Sequence, residues 1–270
     1  IADPQLVNKL ADGREDEIRP CVGATHCMSP QRPVCLHNAA TGRELTMPQL
    51  VERTAGPVCT AVVVGGGPAG LEAARVLGER GHDVTLFEAA PRLGGQVLMG
   101  AQASWRGDLA GVIDWRANEI ERLGADIRTN IFAEPEDVLA QNPDIVIIAT
   151  GGIPDLEWLD GVEHATSAWD FLTGSGPVGG SVLVYDGTGR HPALQCAEHA
   201  AISGAETRFV SIDGEMAAEL TYAERAIWKQ RIYELEVEMT FDHRLARIEK
   251  SGNRLTATFV NEATGRTNTR

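Results

Sequence analysis

Apolar residues along the chain fall into short blocks closed by glycine, and the blocks follow two different periods. Ala61-Val62-Val63-Val64 is a continuous run that stops at glycines, as a strand buried on both faces would. Over residues 69–77, Leu71, Ala74 and Leu77 recur at three-residue spacing, which puts them on one face of a helix. Asp83-Val84-Thr85-Leu86-Phe87-Glu88 reads as a second strand, so residues 62–88 form a strand, helix, strand unit. A helix over 109–123 stopped by Gly124, a brief strand at 126–130 and the buried run 144–149 complete an α/β domain spanning 58–153. The plan then recurs. A strand at 181–185, a glycine-containing turn at 186–190, an Ala-rich helix over 193–202 and a strand over 207–213 open a second lobe, 154–270. That lobe continues with a helix at 222–235 and a strand alternating over 254–260. Residues 1–57 follow neither period, and Gly23, Pro30, Pro33, Gly42 and Pro48 interrupt them, so an irregular linker is expected there. The predicted fold class is α/β, with two nucleotide-binding lobes in series.

The first glycine turn carries a specific spacing. In Gly65-Gly66-Gly67-Pro68-Ala69-Gly70 the glycines at 65, 67 and 70 fit G-x-G-x-x-G. Gly65 allows a tight turn out of the strand, Gly67 lets a pyrophosphate approach the backbone, and Gly70 lets the helix pack close to the strand. The free N–H groups that open the helix face the diphosphate. Glu88 closes the second strand about twenty residues on, where a carboxylate bonds ribose hydroxyls and repels a ribose phosphate. FAD or NAD is therefore expected at this turn, and NADP is disfavoured. Arg92-Leu93-Gly94-Gly95-Gln96 adds a second close backbone approach, and Thr150-Gly151-Gly152 follows a buried strand. This arrangement resembles the two-dinucleotide, Rossmann-like flavoproteins of the glutathione reductase class, which favours FAD, or its ADP half. The candidate cofactor residues here are Gly65, Gly66, Gly67, Pro68, Ala69, Gly70, Glu88, Gly95, Gln96, Thr150 and Gly151.

The second turn, 186–193, is degenerate. Gly187 and Gly189 keep the first two glycine positions, but Pro192 stands at the third, with added bulk and no N–H. Arg190 is placed to meet a phosphate, and Asp213 ends the following strand, where NAD would need an acid. Gly187, Gly189 and Asp213 are thus candidates for an NAD(P) site. The alternative is a lobe that keeps the fold and binds no nucleotide.

Composition narrows the partners. A chain of 270 residues, 43% hydrophobic, can build two ordinary cores. Its net charge of -14 leaves no cationic excess to displace the counterions of a nucleic acid. No run approaches the roughly eighteen apolar residues of a membrane span, and the start lacks the order of a secretory signal. A cytoplasmic chain without nucleic-acid or membrane partners is expected. The first residue is Ile1, with Asp3, Pro4 and Asn8 close behind, which reads as a processed or excised piece of a longer protein.

Three of the five cysteines, Cys21, Cys27 and Cys35, fall within the irregular segment. In a cytoplasmic chain, clustered thiols point to metal or redox chemistry ahead of disulfides. An iron–sulfur cluster, a zinc site of three Cys with His26, and unligated thiols are the three readings. Three thiols are one short of the usual four, and Ala24 stands where a C-x-x-C-x-x-C run has its middle cysteine. Cys59 and Cys196 are expected to be packing residues. His191, His199 and His243 show no triad or metal spacing, and no catalytic residue is assigned.

The residues Arg19-Pro20-Cys21, Cys27, Cys35, His37-Asn38 and Thr41-Gly42-Arg43-Glu44, followed by the Gly65–Gly70 turn, resemble the region after the barrel in iron–sulfur flavoenzymes related to old yellow enzyme. Trimethylamine dehydrogenase, dienoyl-CoA reductase and the demethylases of N-methylproline and dimethylglycine make up that group. The resemblance covers nearly the whole chain. It implies an FMN-bearing barrel outside this chain where a small-molecule substrate reacts, a four-iron cluster, and a two-lobed module holding FAD or ADP. It also implies that strands beyond the second lobe complete the first. Residues 37–44 and the stretch holding Trp105 and Trp115 look closest to the amine demethylase branch. The expected role is the electron-transfer module of an FMN-dependent amine dehydrogenase or demethylase, in a homo-oligomer. An ADP-holding structural lobe and the NAD(P)H-using module of an enoate reductase are the alternatives.

Overall fold

In the computed structural model, which describes residues 1–28, 33–174 and 179–270, the chain forms two units, Ile1–Gly152 and Ile153–Arg270. The first contains α1 (Leu6–Ala11), β1 (Thr60–Val64), α2 (Pro68–Glu79), β2 (Asp83–Phe87) and α3 (Gln96–Gly100). It continues with α4 (Gly111–Arg122), β3 (Asp126–Arg128), α5 (Pro135–Leu139) and β4 (Ile145–Ile148). All four strands are parallel in the order β3-β2-β1-β4, so β1 lies inside the sheet with Val62 beside Thr85 on one neighbour and Val146 on the other. Ala61, Val62 and Val63 are fully buried, as a strand covered on both faces requires. The predicted stripe Leu71, Ala74 and Leu77 packs into one core with Val63, Leu86 and the α4 residues Val112, Ile113 and Ile120. Each fully buried leucine of such a core contributes about 2 kcal/mol.

The run at 144–149 departs from expectation. It forms β4, but Ile145 and Ile147 pack on the core while Val146 and Ile148 are exposed. The physical reason is that, among the described residues, only the face carrying Ile145 and Ile147 is covered by the unit's core. The irregular segment is also better tethered than its composition suggests. Val22 joins the unit's core, and the indole Nε1 of Trp115 donates to the Glu17 carbonyl at 3.0 Å. Arg19 stacks 4.4 Å from the Trp115 ring centroid, and Arg116 donates to Glu72 at 2.9 Å and to the His37 carbonyl at 3.3 Å.

The second unit contains α6 (Ala168–Leu172), β5 (Ser181–Asp186), α7 (His191–Ile202), β6 (Glu206–Ser211), α8 (Tyr222–Glu234) and β7 (Glu238–Thr240). Its strands β5-β6-β7 form a parallel sheet, and β8 (His243–Ser251), β9 (Arg254–Asn261) and β10 (Thr267–Thr269) an antiparallel one in the order β10-β9-β8. Leu194, Ala197 and Ala200 of α7 are fully buried, the two alanines letting the helix sit close to β5 and β6. Leu159, Val210, Leu245, Ala257 and Phe259 form a further core. Two α/β units in series are thus present, as the pattern predicts. Among the described residues no helix is long and apolar enough to cross a membrane.

Candidate nucleotide-binding site

Three loops meet at the C-terminal ends of β1, β2 and β4, the place where open parallel sheets bind ligands. The first is the glycine turn. Gly65 has φ +108°, and a Cβ there would stand 2.4 Å from the Ala149 carbonyl oxygen. A Cβ on Gly70 would come within 1.9 Å of the Gly65 carbonyl oxygen, and one on Gly66 within 2.5 Å of Leu93 Cδ2. These three glycines serve close packing inside the protein. Gly67 differs: a Cβ there meets nothing within 4 Å. Gly67 is also the N-cap of α2, Pro68 occupies the first turn, and no side chain caps this helix. The open space over Gly67 therefore adjoins N–H groups that the helix itself cannot satisfy. This is the cradle that a pyrophosphate needs.

The second and third loops close the rim. Gly66 N–H donates to Glu88 Oε2 at 2.6 Å and Ala90 N–H to Oε1 at 2.7 Å, fixing the carboxylate through charge-assisted bonds. A carboxylate has about four acceptor positions, so Glu88 keeps capacity for ribose hydroxyls. Gly94 N–H donates to the Gly66 carbonyl at 2.8 Å. Gly95, at φ +52°, caps α3 and would place a Cβ 3.4 Å from Gly67 Cα. Gln96 Nε2 donates to the Gly152 carbonyl at 3.3 Å, which ties the second loop to Thr150, Gly151 and Gly152. The structure thus brings together Gly65–Gly70, Glu88, Gly95, Gln96, Thr150 and Gly151. Leu93 under the turn and the Ala90 N–H on Glu88 have no signature in the sequence. The donor set fits the ADP half that dinucleotide cofactors share.

Comparison with known proteins agrees. Residues 63–118 match the NAD(P)-binding Rossmann-like domain family. Over 264 residues the chain is 45% identical to a probable N-methylproline demethylase of Rhizobium meliloti, covering 95% of this chain and 38% of that protein. It is also 45% identical to a multifunctional alkene reductase/demethylase of Caballeronia cordobensis, covering 94% of this chain and 37% of that protein. The solved 6-hydroxypseudooxynicotine amine oxidase of Pseudomonas geniculata N1 superposes with a TM-score of 0.90 at 27% identity, over 100% of this chain and 42% of that one. The chain belongs to the old yellow enzyme-related flavoprotein oxidoreductases. It spans about two fifths of the length of the curated relatives it matches.

The second turn is built differently from the first. Asp186, at the end of β5, is buried, and its Oδ1 accepts from Thr188 N–H at 3.0 Å, Thr188 Oγ1 at 3.2 Å and Gly189 N–H at 3.0 Å. Burial raises its carboxyl above the ordinary range despite these donors, and Asp213 adds to the rise. Gly189 has φ +63°, and a Cβ there would lie 2.7 Å from Asp213 Oδ2 and 3.2 Å from Glu219 N. A Cβ on Gly187 would lie 3.3 Å from the Tyr185 ring. Gly189 therefore packs against Asp213, which follows β6, and Gly187 against Tyr185, so the turn is packed with the unit's own groups.

In the cysteine segment Cys21 and Cys27 are exposed and Cys35 is partly buried. Among the described residues, which leave out 29–32 between Cys27 and Cys35, no three or more His, Cys, Asp or Glu side chains are grouped to hold a metal. Cys196 is buried on α7, where burial pushes its thiol up to about 12. His191, given no role by spacing, links two helices: Trp228 Nε1 donates to its Nδ1 at 3.0 Å, and its Nε2 lies 3.3 Å from Glu224 Oε1.

Proposed function

We propose that this chain is the nucleotide-holding, electron-transfer part of a flavin-dependent oxidoreductase that acts on a small N-methylated amine. In this reading the first unit grips the ADP half of FAD. The single observation that carries it is Gly67, whose open face adjoins the uncapped start of α2, with Glu88 fixed beside it. Two relatives bear demethylase names, and the structural neighbour is an amine oxidase, which supports the substrate class.

Bound flavin would supply the redox chemistry, and the protein binds and orients it. The N–H groups at the start of α2 face the pyrophosphate, and Gly67 lets it approach the backbone. Glu88, already held by Gly66 and Ala90, accepts from the ribose hydroxyls without having to reorder. Its charge also selects against a ribose phosphate. Gly95, Gln96, Thr150 and Gly151 form the rim along which the rest of the dinucleotide would lie. Substrate chemistry belongs to a barrel domain outside this chain.

Titration of the purified protein with ADP and with FAD tests the reading. Both are expected to bind, and FAD to show the perturbed visible spectrum of a held flavin. Gly67→Glu fills the open face with a bulky anion and should weaken both by at least about 100-fold, near 2.7 kcal/mol. Its melting temperature should be unchanged, because nothing lies within 4 Å of the new Cβ. Equal affinity in Gly67→Glu and the unaltered protein would remove the site. Binding of ADP without FAD would leave a structural nucleotide lobe and end the redox reading.

A further inference from the structure

The two glycine turns occupy the same place in their units, after the first parallel strand and before a helix that no side chain caps, yet they differ at the second glycine. At the first turn Gly67 is open. In the second, Thr188 N–H and Gly189 N–H already have an anionic partner in Asp186 Oδ1, and the Thr188 hydroxyl donates to the same oxygen. An aspartate that accepts from backbone N–H groups two and three residues on is a self-contained turn. It uses the donors that a phosphate would otherwise take.

Three further features act in the same direction. The space over Gly189 is filled by the carboxylate of Asp213 and the backbone of Glu219, where Gly67 has nothing. Gly189 N–H is buried with its acceptor, so a ligand would have to displace Asp186 to reach it. Asp186, Asp213 and Glu219 also place negative charge where a diphosphate would add more, and Arg190 is exposed to solvent.

We infer that the Asp186 carboxylate stands in the second unit where a nucleotide phosphate would sit, so that this unit is closed to NAD and NADP. The inference does not rest on what the first unit binds. Asp186 is a positioning residue: it holds the turn in its bound-like shape without a ligand.

The whole chain is titrated with NADH and with NADPH, followed by nicotinamide fluorescence, once saturated with ADP and once as Gly67→Glu. Neither dinucleotide should show saturable binding up to about 1 mM in either form. Amide exchange is read in parallel on peptides covering residues 187–190. These amides should be protected without any nucleotide, should stay protected in Asp186→Asn, which keeps the Oδ1 acceptor, and should exchange at least about tenfold faster in Asp186→Ala. Saturable NADH or NADPH binding to Gly67→Glu, or a second nucleotide equivalent on the ADP-saturated chain, would overturn the inference. Unchanged exchange in Asp186→Ala would do the same. Should Asp186→Ala not fold, the dinucleotide titrations and the protection in Asp186→Asn still decide it.

Discussion

Adding one methyl group at Gly70 and adding one at Gly67 are different experiments. At Gly70 the new carbon falls 1.9 Å from the Gly65 carbonyl oxygen, so the start of α2 must move away from β1. Gly70→Ala is expected to lower stability by about 1–3 kcal/mol, read as a lower denaturation midpoint. Gly67→Ala should leave that midpoint where it is, since its surroundings are open. The spacing of the glycines was legible in the sequence, but their division of labour was not. It depends on Ala149, Leu93 and Glu88, which lie about twenty residues or more away along the chain. Asp186 was legible in a different sense. An aspartate followed by Gly-Thr-Gly is a signal for a side chain that folds back on its own turn, and the glycine spacing masked it. The thiols give a further residue-scale expectation. Cys21 and Cys27 are exposed, whereas Cys196 is buried with its thiol pushed up to about 12. A disulfide reagent at mild alkaline pH should label the first two quickly and reach Cys196 only after denaturant is added, because the thiolate is the reactive form.

Elements form here where a local signal and a tertiary contact agree, and α8 shows both. Thr221 caps it and Glu224 returns the bond, a capping box, while Trp228 and Ile232 bury its inner face. Thr221→Ala should cost about 1 kcal/mol in denaturant unfolding. Burial alone would raise the Glu224 carboxyl, but hydrogen bonds from His191 and Thr221 bring it down to about 2. A carboxylate held below its unfolded value contributes stability that is complete above the ordinary value of 4.5 and is lost as pH falls toward about 2. Unfolding midpoints measured across that window should fall with acid, and Glu224→Gln should flatten the slope. The long periodic elements, β1, α2, β2 and α7, were the ones the sequence displayed. Helices α3 and α6 have only five residues each, about one and a half turns, so no 3.6-residue period can show. Strand β4 was misread as buried on both faces because an apolar run does not say whether a neighbour covers it.

For the whole molecule, the two units make separate predictions. Saturating ADP should stabilise the first by linkage, about 2.7 kcal/mol at a hundred times the dissociation constant. Amide exchange should slow in peptides spanning 60–100 and 145–152 and stay unchanged in those spanning 181–213. Slowing in both stretches would assign a nucleotide to each unit, against the inference drawn from Asp186. Two α/β units in series could be read from pattern alone because hydrophobic period and turn chemistry recur in order. Whether each turn was open could not, since that depends on which carboxylate reaches which N–H group in three dimensions.

Asp186 has a consequence for the life of the protein in a cell. A turn that carries its own anion is finished when the chain folds, so the second unit should mature at the same rate whether flavin is plentiful or scarce. On the proposed reading the first unit gains part of its stability from a bound dinucleotide. During flavin starvation, turnover by proteases should begin in the first half of the sequence, and the second half should outlast it as a folded remnant.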